Sequence, residues 1–211
     1  MKSKLLMMAA FCLVGFTATA QTKGTNTVSL GFGSSKNESK TGNGNGSSSK
    51  STNKNNSITL GYGLFFKDNE KLALDVSYGQ YKEEFIDFER TIKNYGAVAS
   101  YQKYFPLVKK FYAYGGGKLG YTYGKQNEVS TNYNGYLSNE YSAGAYAGIS
   151  WFLSKRFALE TTILSANMGY HKEKYTSNST QNLTVENESS SFGINSQGTF
   201  NNLGFKIYIL F

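Results

Sequence analysis

Very few residues of this sequence are of the types that carry out covalent chemistry. The 211 residues include one histidine and one cysteine. Nucleophilic catalysis needs a nucleophile and a base within hydrogen-bond reach, but His171 is followed by Lys172 and Glu173 rather than by a serine two positions on. Cys12 has no second thiol with which to form a disulfide or a thiolate metal site. We therefore expect a protein that is not an enzyme and that has no cofactor and no metal.

A glycine-rich stretch, "AYGGGKLG", is not a phosphate-binding loop. It lacks the spacing of such a loop and the helix that would follow it. Its glycines indicate close backbone approach or bending of a strand.

The residues that do stand out chemically are four charges within stretches that are otherwise apolar or small. They are Asp75, Lys118, Glu160 and Lys206. An unpaired buried charge is expensive, so acids and bases that share an interior should form ion pairs. We expect at least one of the two acids to lie within salt-bridge distance of Lys118 or Lys206. Two roles remain open, a structural plug of salt bridges and a gated or proton-conducting lumen.

The elements that must position these charges are strands, because apolar residues alternate with small or polar ones. From 71 to 81, for example, Leu72, Leu74 and Val76 alternate with Ala73 and Asp75. A period of two indicates a β-strand with one apolar face. The pattern recurs eight times, in the stretches 26–33, 57–66, 71–81, 93–105, 111–124, 141–152, 156–165 and 203–211. Strands of about ten residues are long enough to cross the apolar layer of a bilayer when tilted.

The polar face of these strands is rich in Gly, Ser and Thr and carries few charges, which suits a narrow interior. An eight-stranded barrel has an interior that side chains just fill. We therefore predict an all-β fold, an eight-stranded antiparallel transmembrane β-barrel with its apolar face toward lipid. Large side chains on the lumen face favour a filled barrel; they are Tyr112, Tyr114, Tyr146 and Tyr208. A soluble lipocalin-like carrier would need the opposite arrangement.

The connections between strands alternate in length, which supports the same fold. We expect long or intermediate loops at 35–54, 82–90, 125–140 and 171–198, and short turns at 67–70, 106–110 and 153–155. Outer-membrane barrels have long extracellular loops and short periplasmic turns, so both ends of the domain should lie on the periplasmic side.

Aromatic residues cluster at both ends of the strands, as interfacial girdles do. The girdle predicted beside the turns comprises Phe65, Phe66, Tyr101, Tyr104, Phe105, Phe111, Trp151, Phe152, Phe157 and Phe211. The girdle predicted near the loops comprises Tyr78, Tyr81, Tyr95, Tyr121, Tyr123, Tyr141 and Tyr170.

The N-terminus has the features of a secretory signal peptide. Lys2 and Lys4 precede an apolar run, and Ala18-Thr19-Ala20 is a small-x-small cleavage site. We predict cleavage after Ala20, so that residues 1–20 are the signal peptide and residues 21–211 the barrel domain. The formal net charge of +8 arises from basic residues spread among acids, so we expect no nucleic-acid partner.

With these features the chain resembles the small outer-membrane β-barrel proteins of Gram-negative bacteria, the group of the OmpA barrel, OmpX and OmpW-like proteins. The resemblance is carried by the signal peptide, the eight strands, "YQKYFP…FYAYGGGKLGY", "AGISWFLSKRFALE" and the terminal Phe. It implies a monomer in the outer membrane, surrounded by lipid. It also implies that the last strand is the signal read by the barrel-assembly machinery. The alternating residues of that strand are Leu203, Phe205, Ile207, Ile209 and Phe211.

The resemblance is specific for architecture, so two non-enzymatic functions remain open. One is a structural or surface-interaction role through the extracellular loops, with an extracellular ligand that the sequence does not identify. The other is a small channel for small or hydrophobic solutes, as OmpW-like barrels suggest. The interior distinguishes them, because a bulky, ion-paired lumen is closed whereas a continuous path permits transport.

Overall fold

The computed structural model describes residues 21–42, 48–85, 88–126, 133–177, 184–196 and 205–211. The predicted signal peptide lies outside these residues. The described residues form nine β-strands: β1 (Asn26–Gly42), β2 (Ser48–Lys67), β3 (Glu70–Phe85), β4 (Phe88–Val108), β5 (Phe111–Gln126), β6 (Tyr133–Phe152), β7 (Phe157–Ser177), β8 (Thr184–Ser196) and β9 (Phe205–Leu210). In this part of the chain, no helix has the length and apolarity needed to cross a membrane.

The strands pair in chain order and close into a ring. β1 to β7 form an antiparallel meander, and β9 pairs with both β7 and β1. Lys206 marks the closure, since it lies opposite Glu160 on one side and Gly31 on the other. β8 pairs with β7 nearer the hairpin end, so β8 and β9 are two segments of the eighth strand, and the predicted eight-stranded antiparallel barrel is confirmed.

The strands are longer than the predicted ten residues, and the excess lies at the hairpin end. β1 and β2 pair as far as Gly42 with Ser48, and β7 and β8 pair as far as Thr176 with Thr184. The prediction of long loops at 35–54 and 171–198 was therefore wrong for most of their length. Beyond the bilayer, polar segments can satisfy their backbone hydrogen-bonding groups by pairing across strands. They need no apolar face there, so the sequence lacks the alternation that would identify them as strands.

The other two predicted loops, at 82–90 and 125–140, shorten in the same way. β3 extends to Phe85 and β4 starts at Phe88, while β5 extends to Gln126 and β6 starts at Tyr133. Much of both segments is therefore strand.

The predicted short turns are confirmed. Two residues separate β2 from β3, and the second of them, Asn69, is in the left-handed region at a φ of 61°. The turn between β4 and β5 is equally tight, with Lys109 at a φ of 46°. The start of β1 meets the C-terminal residue at this end of the barrel, where the amide of Asn26 donates to the carbonyl of Phe211 at 2.8 Å.

The barrel exterior is apolar. On β3, the side chains of Leu72, Leu74 and Val76 are at least half exposed, whereas Lys71 is 1% exposed. The same outward face on other strands exposes Val28, Leu60, Leu119, Met168 and Ile207. A continuous apolar exterior of this kind is stable in lipid and not in water.

The girdle near the hairpins is largely confirmed. Five tyrosines are exposed on the outer surface, namely Tyr78, Tyr95, Tyr121, Tyr141 and Tyr170. We call them the tyrosine row. Two pairs of them are in ring contact, with centroids 5.4 Å apart for Tyr78 and Tyr95 and 5.2 Å apart for Tyr121 and Tyr141. Tyr81 instead lines a cavity inside the barrel.

The girdle beside the turns needs a larger correction. Phe65, Tyr104 and Phe152 point into the barrel and are almost fully buried. Each is adjacent in sequence to another aromatic residue, and neighbouring residues of a strand point to opposite faces. Only one member of each such pair can therefore face lipid. The outward members at this end include Phe105, Phe111, Phe157 and Phe211.

Candidate functional site

The turn end of the barrel interior is filled by buried side chains, which we call the plug. Its apolar part consists of Phe65, Tyr104, Tyr114, Phe152, Ala158, Tyr208 and Leu210, against which Tyr112 and Tyr146 pack. Tyr104 lies at the centre, with ring centroids at 5.6 Å from Phe65 and 5.9 Å from Tyr114. The four tyrosines expected in the lumen all point into it, and they belong to the plug or pack against it.

A buried ion pair lies within the plug. The ammonium of Lys71 is 3.4 Å from Oε1 of Glu160, and the two side chains are 1% and 5% exposed. Tyr104 donates its hydroxyl proton to Oε1, and Nε2 of Gln102 donates to Oε2 at 3.3 Å. The ammonium also lies 3.9 Å from the centroid of the Tyr208 ring. Partners on both carboxylate oxygens and a π face beneath the ammonium offset much of the desolvation penalty.

A second ion pair lies closer to the hairpin end. Nζ of Lys206 is 2.5 Å from Oδ1 of Asp75, with both side chains mostly buried. Lys206 on β9 lies beside Glu160 in the backbone register, yet its ammonium pairs with β3 across the lumen. The expectation that one acid pairs with Lys118 or Lys206 is therefore met by Asp75.

The partner of Glu160 was missed by sequence reasoning. Lys71 lies two residues before Ala73 and four before Asp75, so strand alternation assigns it to the lumen face. It was overlooked because it borders the turn between β2 and β3, where a lysine is ordinarily solvated.

Lys118 behaves differently from the other predicted lumen charges. Among the described residues it forms no ion pair, and its ammonium lies 5.9 Å from the centroid of the Tyr146 ring. The role of the lumen charges, structural or gating, stays a prediction.

An inner cavity of about 390 Å³ lies on the hairpin side of the plug. Its polar lining includes Asp75, Ser77, Ser100, Gln102, Lys118, Thr162, Ser165, Asn167 and Lys206. The plug residues Tyr114, Glu160 and Tyr208 also contribute to its wall. The interior therefore changes from a filled plug to a polar space along the barrel axis.

An outer cavity of about 350 Å³ lies between the hairpins, and it contains the only histidine. Nε2 of His171 is 2.7 Å from Oε1 of Glu173, which also accepts a hydrogen bond from the hydroxyl of Tyr136 at 3.0 Å. The guanidinium of Arg90 lies 4.6 Å from the centroid of the Tyr136 ring. In the described part of the chain, no three His, Cys, Asp or Glu side chains are grouped so as to hold a metal ion.

The last strand alternates as its sequence predicts. Ile207, Ile209 and Phe211 are exposed on the lipid face, while Tyr208 and Leu210 are buried inside. Leu203 lies outside the described residues. The backbone of Phe205 pairs with Phe32 and Thr161. The role of this strand as an assembly signal remains a prediction.

No protein-family profile matches the chain, and no curated protein matches it in sequence. Among solved structures, it is similar to the outer membrane protein OprG from Pseudomonas aeruginosa, with a TM-score of 0.57 and 13% identity over 90% of this chain and 97% of that chain. It is also similar to the outer membrane protein AlkL in DMPC lipid bilayers, with a TM-score of 0.50 and 13% identity over 90% of this chain and 91% of that chain. Neisserial surface protein A matches at a TM-score of 0.46 and 15% identity, over 90% and 98% of the two chains.

The chain has the fold of a small outer-membrane β-barrel, which it shares with OprG and AlkL and which the sequence predicted. Its apolar exterior suits a membrane rather than water.

Proposed function

We propose that this chain is a sealed outer-membrane barrel, without enzymatic activity, that acts at the cell surface through its extended hairpins. The observation that carries the proposal is the plug. Lys71 and Glu160 are almost fully buried, and Phe65 and Phe152 fill the space around them. Buried aromatic rings around a satisfied ion pair resist the entry of water, because opening the plug would leave a charge without its partner.

The hairpins supply the surface on which such a protein would act. Cross-strand ion pairs fix them, with Lys54 to Glu84 at 2.9 Å between β2 and β3, and Lys172 to Glu188 at 3.1 Å between β7 and β8. Paired strands present their side chains in a set order, so a partner meets a prepared surface and less entropy is lost on binding than with an unstructured loop. The outer cavity lies between these hairpins and is open to the same partner.

Conductance in planar bilayers tests the proposal. We expect purified wild-type protein to show no stepwise ion conductance. The substitution Phe152→Ala empties part of the plug and should produce conductance steps, whereas Tyr141→Ala, on the lipid-facing surface, should not. Wild-type protein that conducts as well as Phe152→Ala would contradict a sealed barrel.

A small-solute channel is the second candidate, and the inner cavity is the observation that favours it. The cavity is polar, and Lys118 supplies a cation that lacks an acidic partner among the described residues. If wild-type protein conducts, this charge should make the current anion-selective, and Lys118→Met should abolish the selectivity. The same recordings therefore separate the two functions.

Export, assembly and oligomeric state complete the proposal. The signal peptide would be cleaved after Ala20, and the barrel-assembly machinery would insert the chain as a monomer by reading its last strand. The alternating exposure of Ile207, Ile209 and Phe211 supports the last point. The mass of the mature protein, which should begin at Gln21, checks the cleavage.

A further inference from the structure

Two lysines lie opposite each other on the outer surface, directly beyond the tyrosine row. Lys93 on β4 pairs in register with Lys125 on β5, and the next outward-facing pair toward the membrane is Tyr95 with Tyr123. Residues two apart on a strand share a face, so both lysines point outward, as Tyr95 does. Lys125 is exposed and Lys93 is half exposed.

Two like charges in this arrangement destabilise a sheet. Side chains directly opposite on antiparallel strands have Cβ atoms about 4.5–5.5 Å apart, and equal charges at that spacing repel. Elsewhere on the barrel, an acidic side chain offsets the repulsion between two lysines that lie opposite each other. Lys54 and Lys82 are also opposite each other, and Glu84 lies 2.9 Å from one ammonium and 3.3 Å from the other.

On the β7–β8 hairpin, lysines face acids rather than each other, since Lys172 lies opposite Glu188 and Lys174 lies opposite Glu186. Lys172 and Lys174 both lie within 3.3 Å of Glu186, and Lys172 is also 3.1 Å from Glu188. Among the described residues, by contrast, neither Lys93 nor Lys125 has an ion pair or a side-chain hydrogen bond. This pair therefore lacks the protein anion that its counterparts have.

The position of the pair indicates where its anion comes from. Tyrosines of a girdle lie at the level of the lipid headgroups, so side chains just beyond the tyrosine row reach the phosphates. Lysine stems extend along an apolar surface and place the ammonium at the interface. Leu137, which lies opposite Lys125 in register on β6, is exposed on the same surface and provides an apolar neighbour for the lysine stem.

We propose that Lys93 and Lys125 together bind a phosphate group of an anionic lipid in the outer leaflet. Two ammonium groups can donate charge-assisted hydrogen bonds to separate oxygens of one phosphate, which removes their mutual repulsion. The site rests on the placement of the barrel in the membrane and does not depend on whether the plug is sealed.

Native mass spectrometry with lipid A as the probe tests the site. We expect the double substitution K93Q/K125Q to weaken binding of the first lipid A molecule by about thirtyfold, the ratio that corresponds to about 1 kcal/mol for each lysine near the surface. The variant K93R/K125R keeps both charges and should retain binding. The matched control K54Q/K82Q removes two lysines that already share Glu84, and it should change binding much less.

Two further arms identify the source of the phosphate and guard against a folding defect. Lipid A should bind wild-type protein more tightly than phosphatidylcholine does, and inorganic phosphate in the millimolar range should not displace it. The last arm needs no variant, because it compares acetylation of wild-type protein in lipid A bilayers and in phosphatidylcholine bilayers. Lys93 and Lys125 should be acetylated more slowly in lipid A bilayers, whereas Lys54 and Lys82 should react equally in both. Equal lipid A binding by wild type and K93Q/K125Q, displacement by free phosphate, or unprotected lysines would overturn the proposal.

Discussion

At the scale of single residues, the barrel interior is governed by the need to pair buried charges. Four of the five charges in and above the plug form two pairs, Lys71 with Glu160 and Lys206 with Asp75. The fifth, Lys118, borders the inner cavity and lies near an aromatic face. This arrangement follows from the penalty of an unpaired charge at low dielectric, which is larger than the net gain from any one pair.

The plug ion pair makes a direct prediction for stability. Lys71→Met leaves the carboxylate of Glu160 buried without its partner, so we expect a loss of about 3–5 kcal/mol in the free energy of unfolding. Glu160→Gln should be similarly harmful, and K71M/E160Q should recover much of the loss. Urea unfolding of the protein in lipid vesicles measures each value.

A surface pair of similar geometry provides the control. Nζ of Lys103 is 3.5 Å from Oε1 of Glu70, and the side chains are 49% and 19% exposed. Pairs at the surface contribute about 0–1 kcal/mol. Lys103→Met should therefore have a small effect. Losses from Lys71→Met and Glu160→Gln that simply add in the double variant would show that the two charges are not coupled.

Two neighbouring glycines on β5 allow a matched test of close backbone approach. A Cβ at Gly116 would clash with the carbonyl oxygen of Tyr101 on the next strand, whereas at Gly117 the nearest atom is the Gly144 carbonyl at 3.8 Å. We expect Gly116→Ala to destabilise the barrel by about 1–3 kcal/mol through overpacking. Gly117→Ala should be neutral or slightly stabilising, because it restricts the unfolded chain. Equal unfolding midpoints for the two variants would refute the steric explanation.

Residue-scale features were predictable from the sequence only where alternation was unbroken. The inward positions of Asp75, Glu160 and Lys206 follow from their apolar neighbours on the opposite face. Lys71 obeys the same rule but adjoins a turn, where the composition does not distinguish a buried lysine from a solvated one. Which acid pairs with which lysine depends on distances across the lumen, and alternation along one strand carries no information about those.

At the scale of elements, the strands have two parts with different physical requirements. In the membrane, every strand needs an apolar outward face, and the sequence therefore shows its period clearly. Beyond the tyrosine row both faces meet water, so the hairpin formed by β1 and β2 is largely polar in composition. The barrel was predictable for this reason, whereas the length of the hairpins was not.

The β7–β8 hairpin lies beyond the tyrosine row, and its ion pairs predict that its stability depends on pH. Hydrogen bonds from Lys172 and then Lys174 hold the pKa of Glu186 below its ordinary value. A carboxylate with a lowered pKa in the folded state stabilises the hairpin above its ordinary pKa of about 4.3, and this contribution is lost as the pH falls through the lowered value. We expect NMR titration to place the midpoint of Glu186 below that of an unpaired glutamate.

Substitution of the lysine tests the cause of the shift. Lys172→Met removes the largest contribution and should raise the midpoint of Glu186 toward the ordinary value. Lys36→Met, on β1, removes an equal charge from another hairpin and should leave the midpoint unchanged. An unaltered midpoint in Lys172→Met would contradict the assigned ion pair.

At the scale of the whole molecule, the barrel is apolar outside, filled at its turn end and hollow toward its hairpins. The sequence predicted the first property from alternation. From its lumen tyrosines it predicted a filled barrel, which the structure confirms only at the turn end. It did not predict that the space between plug and hairpins stays open, because cavity volume depends on how side chains from several strands meet.

Accessibility of single cysteines tests the central claim most directly. The only natural cysteine, Cys12, lies in the predicted signal peptide, so mature variants would carry one thiol each. Ser77 lines the inner cavity, and its neighbour Val76 is 53% exposed on the lipid face. These adjacent positions report on the two sides of the same wall.

The protein is inserted into vesicles with a known barrel orientation and treated with a small water-soluble thiol reagent. We expect Ser77→Cys to react when the reagent is added on the hairpin side. The same cysteine should be protected when the reagent is added on the turn side. Val76→Cys can be labelled with a fluorophore in the unfolded state and then refolded into vesicles, where a lipid-borne quencher should quench the fluorescence. Without the label, the Val76→Cys thiol should not react with the aqueous reagent from either side. Reaction of Ser77→Cys from the turn side at the same rate as from the hairpin side would contradict a sealed barrel. Equal aqueous labelling of the two cysteines would contradict the inside-out barrel itself.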